Sequence, residues 1–187
     1  MKKPSYILIL LILMVAGCGT WQPGGATRVP TELRVLAYND ISDAYLPRPT
    51  FLTLRERVGA SSMLQITVDQ YGEDSDLYIS KAAAPLLSDA VSKFAEWEAI
   101  AMQRGDLLDK EIAVVEGEAG MEYTASLHSG NETLHYMVIR QCYSACSYAQ
   151  DSETYYFDRE NALILKATLD DFSSGRIQPK DSDLIYK

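Results

Sequence analysis

Met121, Tyr123, Ala125 and Leu127 alternate with Glu122, Thr124, Ser126 and His128, and a second run of strand-forming residues begins at Leu134. Strict alternation of this kind fits the two-sided pleat of a half-buried strand. Gly130-Asn131 between the runs is a tight-turn signal. A two-residue turn centred there pairs Leu127 with Leu134, Ala125 with Tyr136 and Tyr123 with Val138. Each inward residue then meets an apolar partner, and a one-residue slip would ruin the match. The chain is therefore committed to an antiparallel sheet with one greasy face that something else must cover.

Other segments repeat the pattern. Glu32 to Tyr38 reads as a first strand, and Asp43 to Thr50 as a proline-broken loop. Met63 to Asp69 alternates, with Leu64, Ile66 and Val68 on one side; Tyr71 to Ser75 turns the chain and Asp76 to Ser80 returns as its partner. Glu111 to Glu116 is an apolar strand. Glu153 to Asp158 and Ala162 to Leu169 read as a further hairpin turned at Arg159-Glu160-Asn161. The cover is a helix over roughly Ala84 to Arg104. Leu86, Leu87, Ala90, Val91, Phe94, Trp97, Ala101 and Met102 share one arc, with Glu98 and Ile100 as exceptions, and Gly105 is a fitting residue just past its end. The expected architecture is α+β. It is an antiparallel sheet of about seven or eight strands, mostly hairpins, packed on one amphipathic helix. Residues 32–187 form a single domain, and the tail from Phe172 is polar.

The N-terminus has a different character. Lys2 and Lys3 precede a run that is apolar from Tyr6 to Val15. A spanning helix needs about 20 such residues. A basic start, a short apolar core and then small residues is the layout of an export signal. Gly19 to Thr31, rich in Gly, Pro and Thr, reads as a flexible tether that reaches at most about 40 Å.

Val15-Ala16-Gly17-Cys18 resembles the lipobox of bacterial lipoproteins: an aliphatic residue, a small residue, Gly or Ala, then Cys. The resemblance covers only the first twenty residues or so. It implies that residues 1–17 are a signal peptide, that the Cys18 thiol takes diacylglycerol, and that Cys18 becomes the first mature residue with its amine often acylated. One acyl chain anchors marginally, at about 0.8 kcal/mol per buried methylene, while two or three hold essentially for good. In enteric lipoproteins an Asp after the Cys favours the inner membrane. Gly19 stands there instead, so the resemblance implies the periplasmic face of the outer membrane, or the outer face of a single membrane in a host that has only one. The membrane partner is then the lipid on Cys18, and residues 18–31 are the lipidated tether.

Removing residues 1–17 from 187 leaves 170 and takes away Lys2 and Lys3, which moves the formal charge from −9 to −11. That length suits one core. The acidity argues against nucleic acid and against docking to anionic lipid by basic residues. It serves solubility or matches a cationic partner. With Cys18 lipidated, Cys142 and Cys146 remain. An even pair in an oxidising compartment suggests a disulfide, which would pin one small turn; free thiols or redox and metal chemistry are the alternatives.

Motifs that carry chemistry are sparse. His128 and His135 are the two histidines, and the hairpin register places both on the polar face of neighbouring strands. With Glu132 they fall short of a zinc motif. Gly59-Ala60-Ser61-Ser62-Met63 lacks the second Gly of a nucleophile elbow. Asp69, Glu73, Asp74 and Asp76 surround a turn without the order of a calcium loop. No phosphate-binding glycine motif occurs, and no cofactor or metal is expected. Tyr136, Tyr143, Tyr148, Tyr155 and Tyr156 crowd into one stretch. Tyrosine suits both sheets and interfaces. Tyr156, facing opposite to Tyr155 and Phe157, is the expected exposed member, and the loop from Gln141 to Ser152 with Tyr143 and Tyr148 is the expected contact tip. These features favour a lipid-anchored binding or scaffolding module of the cell envelope with a protein partner. A lipoprotein that sequesters a cationic envelope enzyme is the first alternative, and an envelope hydrolase the second.

Overall fold

A computed structural model describes residues 23–57, 60–143, 146 and 152–177. Cys18 and Tyr148 lie outside the described residues, as do the export signal and the end of the tail. The fold is α+β, as the alternation predicts, with two antiparallel sheets and two helices. A four-stranded sheet has the order β1 (Pro23–Val29), β4 (Thr50–Arg57), β5 (Ala60–Gln70), β6 (Glu73–Ser80). A six-stranded sheet has the order β3 (Ala44–Pro47), β2 (Leu36–Asn39), β10 (Ser152–Phe157), β9 (His135–Tyr143), β8 (Met121–Ser129), β7 (Asp109–Glu116). The helices are α1 (Ala83–Arg104) and α2 (Arg159–Ser173).

Several expected elements form for the expected reasons. In β5, Leu64, Ile66 and Val68 are buried together. The β5–β6 turn is two residues, Tyr71-Gly72, both at positive φ (60° and 101°). That is what a tight hairpin turn of this hand requires, and glycine supplies it without strain. Helix α1 ends where Gly105 adopts the left-handed conformation (φ 65°) and donates to Ala101 O. Pro85 sits in its first turn, where a missing N–H is harmless.

Helix α2 overturns an expectation. The segment Ala162 to Leu169, read as a strand, is helical. Asp158 caps it, accepting from Asn161 N at 2.9 Å. Ala162, Leu165, Leu169 and Phe172 then fall on one buried side. Alternation in ALILKATL is shorter than this three-and-four spacing, and the cap decides between them. The tether is also shorter than expected, because Pro23–Val29 pairs with β4 as an edge strand. Asp43 to Thr50 likewise contains β3, whose Pro47 is tolerated at a sheet edge.

The β8–β9 hairpin has a register three residues away from the expected one. Leu127 pairs Met137, Ala125 pairs Ile139 and Tyr123 pairs Gln141. The loop runs from Gly130 to Leu134, closed by Gly130 N donating to Leu134 O at 2.8 Å. Asn131 Oδ1 accepts from Thr133 N and Leu134 N, both at 2.9 Å, so the side chain rather than a two-residue turn organises the bend. An odd shift exchanges the two faces of β9. Met137 and Ile139 turn inward; Tyr136 and Val138 turn outward.

One continuous core results. It joins β4, β5 and β6 (Leu52, Leu54, Leu64, Ile66, Leu77, Ile79) to α1 and α2 and to the inner face of the six-stranded sheet (Tyr123, Leu127, Ile139, Tyr155, Phe157). Each such side chain contributes about 1.5–3 kcal/mol by leaving water. Leu86 and Met102 of α1, expected in its apolar arc, lie exposed at its margins. Glu98, the exception in that arc, is buried at 5 % and paired with Arg159, which ties α1 to α2.

Candidate binding surface

The outer face of the six-stranded sheet carries a second, smaller cluster. Leu36, Tyr136 and Val138 are buried there, with Tyr45 and Tyr156 packed on them. Pairing explains the gathering. Tyr38 pairs Tyr45, Leu36 pairs Tyr156, Tyr156 pairs Val138, and His128 pairs Tyr136. The sheet order thus brings residues from five strands onto one face. Tyr45 is the hub. Its ring centroid lies 4.5 Å from that of Tyr156, 4.6 Å from Tyr136 and 5.3 Å from Tyr38. His128 stands 6.0 Å from Tyr45 and from Tyr156. Tilted and edge-on pairs of this kind contribute about 0.5–1.5 kcal/mol each beyond burial.

Polar groups ring the cluster. Tyr38 donates its hydroxyl hydrogen to Asp43, and that bond, with some burial, holds the phenol above its ordinary pKa. His128 Nδ1 lies against Asp109 Oδ1. Its Nε2 lies 3.3 Å from the Tyr45 hydroxyl. An Asp–His–hydroxyl chain can activate a nucleophile. Here the hydroxyl is a phenol whose pKa is raised, first by burial and then by neighbouring Tyr156. It keeps its proton, and the chain orders the ring instead. Burial raises the Tyr136 phenol as well. The surface therefore offers neutral aromatic rings with Asp43 and Asp109 at its rim.

A turn extends it. Asn39 Oδ1 accepts from Ile41 N at 3.0 Å and from Ser42 N at 2.9 Å, and Asp43 takes a positive φ of 52°. This braced turn presents Ile41, which is 96 % exposed, beside Tyr38, which is 45 % exposed.

The structure redistributes the residues singled out from sequence. Tyr156 is half-buried in the cluster and not its most exposed member. Tyr143 is exposed at the end of β9, on the pleat opposite to Tyr136, so it belongs to another part of the surface. Cys142 and Cys146 are joined (S–S 2.11 Å), and Cys146 N donates to Glu122 Oε1 at 2.7 Å. The disulfide folds the chain back against β8. His128 and His135 lie on opposite faces, a consequence of the shifted register. His135 is buried, its Nδ1 2.8 Å from Ser129 Oγ, while Nε2 has no hydrogen-bond partner among the described residues. Ser61 bonds to Glu118 and not to a histidine. Asp69 serves the Tyr71-Gly72 turn, and Asp76 accepts from Thr67 and Tyr78. Among the described residues no three His, Cys, Asp or Glu side chains gather as a metal site.

Tyr38, Ile41, Tyr45 and Asp109 were missed. The signal was present: Leu36 and Tyr38 alternate into Asn39-Asp40, and Tyr45 and Pro47 alternate out of it. Two open depressions occur elsewhere. One, of about 420 Å³, is lined by Arg34, Arg48 and Phe51 with their neighbours, and the other, of about 570 Å³, by Leu107 and the Gly130–Thr133 loop. Neither is lined by His128 or by the tyrosine cluster.

Fold and surface together define a two-sheet α+β domain with a tyrosine-lined outer face. No family model matches the chain, and neither a curated protein nor a solved structure matches it. Among the described residues no helix is long and apolar enough to cross a membrane.

Proposed function

We propose that the protein is a non-enzymatic binding module of the cell envelope, held at a membrane by lipid on Cys18, that meets a protein partner through the outer tyrosine face. The observation that carries the binding role is the uncovered cluster of Tyr38, Tyr45, Tyr136 and Tyr156 with Ile41 beside it. Tyrosine gives large contact area at low entropic cost and is enriched at interfaces. The anchor rests on Val15-Ala16-Gly17-Cys18. With β1 starting at Pro23, the link from Cys18 reaches roughly 15 Å, so the domain stays close to the bilayer.

The hydrolase alternative loses support from the raised Tyr45 phenol, a poor nucleophile, beside His128. Two measurements test the proposal. Intact-mass analysis of protein from cells is expected to find Met1 to Gly17 absent and Cys18 acylated; a bare thiol at residue 18 contradicts the anchor. Affinity capture from solubilised envelope is expected to return a stoichiometric partner that Tyr45→Leu loses. Retention of every partner by Tyr45→Leu contradicts the docking face.

A further inference from the structure

We infer that the tyrosine face takes lysine or arginine side chains from a basic segment of the partner protein. This rests on the reading of that face as the docking surface and adds the chemistry of its occupant. Elsewhere on the domain, the chain's own cations stand over three accessible rings. The Arg28 guanidinium lies 4.5 Å from the Phe51 centroid and that of Arg48 lies 3.9 Å from Tyr71. Lys93 and Lys110 stand 4.9 Å and 4.6 Å from Trp97. Among the described residues none stands over Tyr38, Tyr45, Tyr136 or Tyr156.

Carboxylates stand at the rim of those four rings. Asp43 is bonded to Tyr38 and Asp109 to His128. The fields of Asp40 and Asp158 also reach Tyr38 and Tyr136. Arg140 of β9 shares this face opposite Thr154, one pleat step from Tyr156, and does not stand over its ring. An aromatic ring is electron-rich on its face, so the rings and the rim carboxylates attract a charge of the same sign. A chain of formal charge −9 adds a long-range pull on the same ligand and repels polyphosphates. Ile41 beside the rim gives such a segment an apolar contact as well.

The test uses the full chain in neutral detergent micelles, titrated with a short oligolysine and followed through tyrosine ring resonances. Binding is expected to shift the Tyr38 and Tyr45 signals and to weaken as salt is added. Tyr45→Leu, which keeps an apolar side chain but removes the ring, is expected to weaken it about tenfold. Asp43→Asn, on an exposed turn, repeats the test without touching packing and is expected to weaken it several-fold. The fully acetylated oligolysine is expected not to bind. Equal binding of acetylated and native peptide, or wild-type affinity in both variants, overturns the inference. So does an envelope partner lost in Tyr45→Leu whose capture is indifferent to salt; in that case the docking face stands and its cationic occupant falls. Retention of all partners by Tyr45→Leu removes both.

Discussion

Tyr155 and Tyr156 are neighbours on β10 and live in different worlds. Tyr155 points inward and is 0 % exposed, with its hydroxyl 2.8 Å from Ser75 Oγ. Tyr156 points outward and is half-buried against Tyr45. The inner face of the six-stranded sheet is closed by α1, α2 and the four-stranded sheet, and its tyrosines are structural. The outer face is covered by no element among the described residues, and its tyrosines pack against each other, Leu36, Val138 and His128. The same residue type thus has two uses, set by pleat parity alone. Burial fixes which tyrosines hold the fold, and exposure fixes which are left to meet something else.

The sharpest way to break this contrast is to truncate the inner ring. Tyr155→Ala is expected to cost about 3–5 kcal/mol in denaturant unfolding, as for other large aromatic truncations in a core. Next, Arg159→Met strips the cation from buried Glu98 and loosens the two helices that close the inner face; a loss of about 2 kcal/mol is expected from the same measurement. Tyr156→Ala is expected to cost only about 1 kcal/mol while abolishing partner capture. Similar stability losses for Tyr155→Ala and Tyr156→Ala would erase the distinction between the faces.

Alkaline pH probes the same contrast more gently. Burial raises the Tyr123 and Tyr155 phenols, and Tyr78 is pushed up to about 12 by burial and then by its bond to Asp76. The unfolded chain ionises these groups near their ordinary value of 10.0. A raised folded-state value means that this stability is fully present below pH 10 and is lost as pH rises through the folded values. Unfolding midpoints are therefore expected to hold up to about pH 10 and to fall as pH rises from there toward about 12, and less so in Tyr155→Phe. An unchanged midpoint would show that the inner phenols ionise freely in the folded protein.

Much of the inner architecture was legible in the sequence, because burial on one side imposes a period. Leu64, Ile66 and Val68 revealed β5; Met121, Tyr123, Ala125 and Leu127 revealed β8; Phe94, Ala101 and Gly105 revealed α1 and its end. The register of β9 was not legible. His135-Tyr-Met-Val-Ile139 has apolar residues on both faces, so a shift of three residues satisfies the pattern either way. Helix α2 was hidden because Ala162 to Leu169 also alternates over a short window. The tyrosine face was half legible. The crowding of tyrosines after residue 135 was plain, but their partners Tyr38 and Tyr45 come from a hairpin far upstream, and only the β2–β10 pairing brings them together.

Hydroxyl-radical footprinting, read residue by residue by mass spectrometry with and without oligolysine, tests the division of faces most directly. The account predicts that Tyr38 and Ile41 are labelled in the protein alone and protected by the peptide, while Tyr123 and Tyr155 stay unlabelled in both states. Labelling of Tyr155 at the rate of Tyr38, or labelling of Tyr38 and Ile41 that the peptide leaves unchanged, would contradict it.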